Sequence, residues 1–416
     1  MSQLGAASAV EHGRPQRSVT WATRLALLLL GLALPVLLLE CALRAFGPIL
    51  PGNYSAHLYL EPHPVYGHFH VPGTSGWLKS QEYVTRVDIN SRGLREREIA
   101  YDKPADIRRI IVLGDSFVAG AEVPVEATLT RRLEARLNAG GAETTQVINA
   151  GVRGFGTAQE YLLLKHEALR YSPDLVAVVF YTGNDVMNNG YWIKDSPRER
   201  DRPYFVLADD GQLRLLPFQA KRRPREGWLE RLRRESLLFG VLDTGVLAKL
   251  GVAQPAQAED EGGDGGIDRS FVKYQLPVYS AKPSRAWEKD WQVAEALLAQ
   301  MRDEAEKAGA RFLLVNAPTK WAIYPEDWDE LQQRLALSSK EWDLDAPDRR
   351  LAEIAARRDI AYIDLRAPLR DAAAAGPRLY YRQDVHWTVA GQQVVADALA
   401  GVLTRGTLLS TKQPPS

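Results

Sequence analysis

"IIVLGDSFVAG", residues 110–120, joins an apolar run, Ile110 to Leu113, to Gly114-Asp115-Ser116. A continuous apolar run suits a strand covered on both faces, whereas a half-exposed strand alternates. Gly, Asp and Ser after it can supply a simple turn. The same three residues can instead hold a serine hydroxyl at the edge of a sheet, and the neighbouring sequence decides between the two.

Working outward, strand-like and helix-like segments alternate. "EATLTRRLEARLNAG" has helical periodicity, "TQVINAG" reads as a second strand and "TAQEYLLLKHEALRY" as a second helix stopped by Ser172-Pro173. "DLVAVVFYTGND" and "ARFLLVNAPT" add two strands, and "IAYIDLR" a short fifth. "WQVAEALLAQMRDEAEKAG", "PDRRLAEIAARRD" and "TVAGQQVVADALAGVL" supply further helices. Strands alternating with helices predict a three-layer α/β/α, doubly wound parallel sheet over residues 106–405.

In such a sheet, ligands bind beyond the carboxyl ends of the strands. Those ends carry Asp115-Ser116, then Asn149-Ala150-Gly151-Val152-Arg153-Gly154, then Thr182-Gly183-Asn184-Asp185. Asp384-Val385-His386-Trp387 precedes the last helix. These parts meet the needs of acyl transfer. A serine hydroxyl is a weak nucleophile that needs an adjacent base. Histidine titrates near neutrality and suits that task, and a carboxylate on its far nitrogen fixes the tautomer. Backbone N–H groups and an asparagine amide can stabilise a tetrahedral oxyanion.

The blocks "GDSF", "NAGVRGFG", "TGND" and "DVHW" resemble, in order, those of the SGNH (GDSL-type) hydrolase superfamily. The resemblance covers about residues 109–195 and 287–403. It implies a flavodoxin-like sheet with Ser116 as nucleophile, His386 as base and Asp384 orienting it. It further implies an oxyanion hole from the N–H groups of Ser116 and Gly154 and the Asn184 side chain, with Gly151 as second candidate for the glycine donor. Asp115 and Asp185 are supporting residues, and no cofactor is required. Many members space the final pair Asp-x-x-His, whereas here it is Asp384-x-His386, as in polysaccharide O-acetyltransferases with the same active-site plan. "FLLVNAPTKWAIYPEDW" also resembles the Pro-Thr-Lys strand of those proteins, although there the Asp-His pair usually precedes the serine block.

The remainder of the 416 residues bounds the setting. Lys+Arg and Asp+Glu are both 52, giving zero formal net charge, so no nucleic-acid partner is expected. The single cysteine, Cys41, excludes an intrachain disulfide and a Cys-based metal site. Fifteen consecutive non-polar residues, Leu25–Leu39, follow Arg14, Arg17 and Arg24. With their flanks they predict a transmembrane helix over 21–46, long enough to span a bilayer. The positive charges place residues 1–20, a disordered tail, in the cytoplasm, and the catalytic domain outside a bacterial inner membrane, in the periplasm. A cleaved signal peptide or a soluble core helix are the alternatives.

Residues 48–105 read as a β-rich collar, with Val84, Arg86 and Asp88 alternating against Thr85, Val87 and Ile89. Residues 190–285 read as an insertion, either a lid or surface decoration, with a flexible linker over 253–268, and 406–416 as a disordered tail. His68-x-His70 could bind metal but is read as surface histidines. The basic cluster at 221–225 could meet anionic lipid or sugar and is read as a solvated face. Trp192, Trp287, Trp321 and Trp387 could stack on sugar rings, with core packing the expectation.

The combined expectation is an ester hydrolase acting on an acylated glycan or lipid, with O-acetyl on an envelope or exported glycan foremost. An O-acetyltransferase working with envelope polysaccharide machinery, and a catalytically silent scaffold subunit, are the alternatives.

Overall fold

The computed structural model describes residues 20–46, 52–53, 60–140, 144–193, 202–218, 232, 236–242, 274–338 and 341–405. The basic cluster at 221–225, the 253–268 linker, nearly all of the 1–20 tail and the 406–416 tail lie outside them, as does most of the 190–285 insertion.

Helix α1 (Trp21–Phe46) leads the chain and is apolar and long enough to cross a membrane. Next come β1 (Gly52–Asn53), β2 (Glu61–His63), β3 (Gly67–Phe69), β4 (Ser75–Lys79) and β5 (Val84–Asp88). They make an antiparallel sheet, β1-β4-β5, and a β2-β3 hairpin. In β5 the alternation is realised, with Thr85 and Val87 buried and Val84, Arg86 and Asp88 exposed.

The central sheet uses β6 (Ile107–Gly114), β7 (Thr144–Gly151), β8 (Leu175–Tyr181), β11 (Arg311–Ala317) and β12 (Ala361–Ile363). β9 (Phe205–Leu207) and β10 (Leu213–Leu215) form a separate hairpin. All four pairings in the central sheet are parallel, in the order β7-β6-β8-β11-β12. In sequence terms this is second, first, third, fourth, fifth, the flavodoxin-like order.

Both faces are covered, which explains the unbroken apolar runs. Ile111 and Leu113 join one core with α4 (Thr157–His166) and α6 (Arg285–Lys307). Ile110 and Val112 join the other with α3 (Leu129–Asn138) and α11 (Val389–Arg405). Each such side chain, fully withdrawn from water, contributes about 1.5–3 kcal/mol.

Several helices differ from the sequence reading. "TAQEYLLLKHEALRY" is not one helix: α4 stops at His166 and a 3₁₀ turn, Ala168–Tyr171, follows. α6 begins at Arg285, earlier than its apolar periodicity, because the Ser284 hydroxyl caps the Trp287 N–H. Pro325–Leu335 and Arg366–Ala375 are helices the periodicity did not single out. Pro325 sits in the first turn of its helix, where a missing N–H costs nothing.

Candidate active site

The switch point of this sheet lies between β6 and β8, where the strand order reverses. Ser116 leaves the end of β6 and Asn184 leaves the end of β8, so both flank that crevice. Directly after β6, α2 (Ser116–Ala119) begins with Ser116 as its first residue. Asp115 caps it, its Oδ1 accepting the Phe117 N–H at 2.9 Å. The Gly-Asp-Ser turn is therefore a strand-to-helix elbow, and Ser116 stands on it only 7% exposed.

The chain brings its C-terminal block onto this elbow. His386 Nε2 lies 2.7 Å from Ser116 Oγ, and His386 Nδ1 lies 2.5 Å from Asp384 Oδ1. The His386 backbone N–H also donates to Asp384 Oδ1 at 2.9 Å. Asp-x-His thus closes its contact through a short loop in which one carboxylate oxygen serves both ring and backbone.

That loop is held from three sides by residues the sequence reading did not identify. Glu82, between β4 and β5, accepts the N–H groups of Arg382, Gln383 and Asp384 at 2.7, 2.9 and 3.2 Å. Lys320 Nζ donates to the Arg382 and Asp384 carbonyls at 3.0 and 3.3 Å. The Tyr83 hydroxyl donates to Asp384 Oδ2 at 2.8 Å. Lys320 stands in the "APTKW" stretch already noted for its resemblance. For Glu82 and Tyr83 no sequence signal exists, since some 300 residues separate them from their partners.

Two further charges are buried here. Glu122 and Arg153 form an ion pair, 2% and 4% exposed. Glu122 Oε1 is also 3.6 Å from His386 Nδ1. The detectable signal was a lone charge inside each otherwise uncharged block, "FVAGAE" and "NAGVRGFG".

These contacts set the protonation states. Burial alone would lower the proton affinity of His386, but Glu122 and Asp384 outweigh it and push the imidazole up to about 9. Burial would raise Asp384, but His386 and the Tyr83 hydroxyl hold it well below the usual carboxylate range. Burial lowers Lys320.

The expected oxyanion donors differ among themselves. Gly151 is spent: its N–H donates to Asn149 Oδ1 at 2.9 Å, and a Cβ there would stand 2.3 Å from the Ala119 nitrogen. Gly154 has φ of 70°, the left-handed region that glycine tolerates. Among the described residues no acceptor takes the N–H of Gly154 or of Ser116. The Asn184 amide donates to Asp115 Oδ2 at 3.0 Å, which leaves its second N–H. Asp185 is fully buried and accepts the Tyr181 N–H at 2.7 Å. Burial, then the nearby Glu160 and Asp115 carboxylates, raise Asp185 well above its ordinary range.

Other sequence candidates fall elsewhere. His70 is buried and His68 half-buried, and their ring nitrogens bond the Gly93 and Arg153 carbonyls, each at 2.9 Å. Trp287, Trp321 and Trp387 are buried in the cores. Trp192 remains 37% exposed, with Tyr191 beside it at 45%.

The model of an SGNH hydrolase-like domain, acetyltransferase AlgX, matches residues 280–415, the part that carries Lys320, Asp384 and His386. That part of the chain is similar to an SGNH hydrolase-like domain. The chain's similarity to O-acetylases extends to curated proteins. It is 30% identical over 138 residues to the probable alginate O-acetylase AlgJ of Pseudomonas putida, 31% of either chain. It is 31% identical over 119 residues to that of Azotobacter vinelandii, 29% of either chain. The aligned part is thus about a third of the length of these relatives. Among solved structures, Axe2, an acetylxylan esterase from Geobacillus stearothermophilus, has 13% identity and a TM-score of 0.37 over 70% of this chain and 92% of that one. TesA has 14% identity and a TM-score of 0.37 over 72% and 99%.

Proposed function

We propose that this chain is a membrane-anchored serine enzyme handling O-acetyl esters of an exported or envelope polysaccharide, with its catalytic domain on the periplasmic side of a bacterial inner membrane. The carrying observation is the continuous relay from Ser116 Oγ through His386 to Asp384, at 2.7 and 2.5 Å.

In this reading Ser116 Oγ attacks the acetyl carbonyl while its proton passes to His386 Nε2. The Ser116 and Gly154 N–H groups and the second Asn184 amide proton receive the oxyanion. The bond to the leaving alcohol breaks as His386 returns the proton to it. A second oxygen nucleophile, deprotonated by His386, then takes the acetyl from Ser116, and His386 returns that proton to the departing Ser116 Oγ. Asp384 and Glu122 stabilise the imidazolium formed in each half. With a sugar hydroxyl as second nucleophile the enzyme is an O-acetyltransferase; with water it is an esterase. Similarity to the AlgX-type domain and the AlgJ O-acetylases favours transfer. Exposed Tyr191 and Trp192, on the segment leaving the carboxyl end of β8, favour a glycan at the site. Trp192 is held for that role by a 2.7 Å bond from its Nε1 to Asp290.

The test is acetyl release from p-nitrophenyl acetate by the full chain in detergent, with and without an oligouronate acceptor, beside Ser116→Ala. Acetylated acceptor, seen by mass and lost in the variant, is expected. Release that ignores the acceptor and appears only as acetate would make the enzyme an esterase. Equal rates in both proteins would reduce the chain to a scaffold.

A further inference from the structure

The known parts of a serine relay need one carboxylate behind the histidine, and here two face it. Asp384 Oδ1 is 2.5 Å from His386 Nδ1, and Glu122 Oε1 is 3.6 Å from the same atom. Glu122 is withdrawn from water and its other contact is the buried Arg153 guanidinium. A buried ion pair is weak evidence for stability, because desolvation offsets most of the attraction. Apolar residues of similar volume would brace the same two segments at least as well. The backbone around Glu122 is also fixed without its side chain. Arg95 donates to the Ala119 and Val123 carbonyls at 2.9 and 2.8 Å, and the Tyr381 hydroxyl to the Glu122 carbonyl at 3.1 Å.

What the pair adds is charge at two places where charge changes during acyl transfer. Glu122 faces the imidazole that becomes imidazolium. Arg153 immediately precedes Gly154, the glycine to which the proposed reading assigns an oxyanion N–H, and its own carbonyl is pinned by His68 Nε2. We propose that Glu122 is a second carboxylate partner of His386, a positioning residue that tunes the base and ties it through Arg153 to the oxyanion turn. This inference rests on the serine-enzyme reading for its catalytic consequence but not for its test.

Among the described residues the charged and titratable groups around Glu122 include Arg153, His386, Asp384 behind His386, Tyr83 and Tyr381, with Arg95 on the carbonyls of its own segment. Glu122 raises the proton affinity of His386 and Arg153 lowers it. The two ends of one ion pair therefore push in opposite directions. That contrast supplies the experiment. The full chain in detergent, labelled with ¹⁵N-histidine, is titrated by NMR, with His386 assigned among the seven histidines by its loss in His386→Asn. In Glu122→Gln the His386 midpoint should fall by about one pH unit, a tenfold loss of proton affinity. In Arg153→Gln it should rise. If Arg153→Gln fails to fold, the fall in Glu122→Gln, measured beside Glu122→Gln/Arg153→Gln in which neither charge is left unpaired, decides the matter. No change in Glu122→Gln, or shifts of the same sign in both single variants, overturns the proposal. In an active enzyme the rising limb of kcat/KM against pH should move with the NMR midpoint. A wild-type protein without Ser116-dependent turnover would sink the enzymatic reading, while the titration would still stand or fall alone.

Discussion

Replacing Tyr83 with Phe removes one oxygen and nothing else. That oxygen donates to Asp384 Oδ2 at 2.8 Å, and among the described residues no other donor reaches Oδ2. A hydrogen bond to a charged group contributes about 1.5–3 kcal/mol. Tyr83 is half-buried, which puts the loss near the lower bound, about 1.5–2 kcal/mol. If the bond steadies Asp384 behind the imidazolium, most of that loss falls on the transition state. At 1.36 kcal/mol per decade, kcat should drop roughly 10- to 30-fold with KM unchanged. The assay is p-nitrophenyl acetate hydrolysis by the full chain, with the Ser116→Ala rate subtracted and the thermal midpoint recorded beside it. A variant that melts normally and retains more than about half the wild-type kcat would refute the reasoning, because the Tyr83 hydroxyl would then carry no part of the relay.

The pH dependence has a definite sign. His386 must be unprotonated to accept from Ser116, and it is held up to about 9, so kcat/KM should climb with pH and level off above about 9. A histidine raised from 6.5 stabilises the fold fully below 6.5 and loses that contribution through about 9, so the thermal midpoint should fall over the window in which activity climbs. His386→Asn should flatten that fall; an unchanged slope would assign it to other groups. Gly151→Ala should destabilise the protein by about 3 kcal/mol, read by chemical denaturation, since its Cβ meets the Ala119 and Val118 backbone at 2.3 and 2.7 Å and backbone cannot step aside. A cost below about 1 kcal/mol would mean that α2 relaxes freely. Trp192→Ala should raise KM for an acetylated or acceptor oligosaccharide several-fold while leaving p-nitrophenyl acetate kinetics in place. Equal effects on both substrates would assign Trp192 a packing role instead.

Much of the fold was legible because its signals are local. Ile110–Leu113 had to be a strand covered twice over, and its residues do alternate between two cores. Strand ends in a parallel sheet gather at one edge, which is why Ser116 and Asn184 could be expected near each other. His386 follows no strand and was placed beside Ser116 by its Asp-x-His block, and the structure sets its Nε2 2.7 Å from Ser116 Oγ. The rest was hidden for physical reasons. Glu82 and Tyr83 act on a loop some 300 residues away, and no periodicity reports a contact of that span. Glu122 and Arg153 were readable only as charges in uncharged blocks, without any indication that they meet. His70 was misread as a surface residue because a polar hairpin in isolation gives no hint that it packs beside the Arg153 turn, against which His68 is half-buried. The broken helix at His166 escaped because 3₁₀ and α turns share nearly the same apolar spacing.

The span of the relay also times its own assembly. A chain leaves the ribosome N-terminus first, so Tyr83 emerges long before Asp384, 301 residues on, and Ser116 waits 270 residues for His386. Until the final helix has followed, the nucleophile has no base and the hairpin no loop to grip. On the serine-enzyme reading proposed above, the domain is therefore chemically inert through almost all of its synthesis, and a chain truncated between α1 and His386 is a dead enzyme that still carries α1.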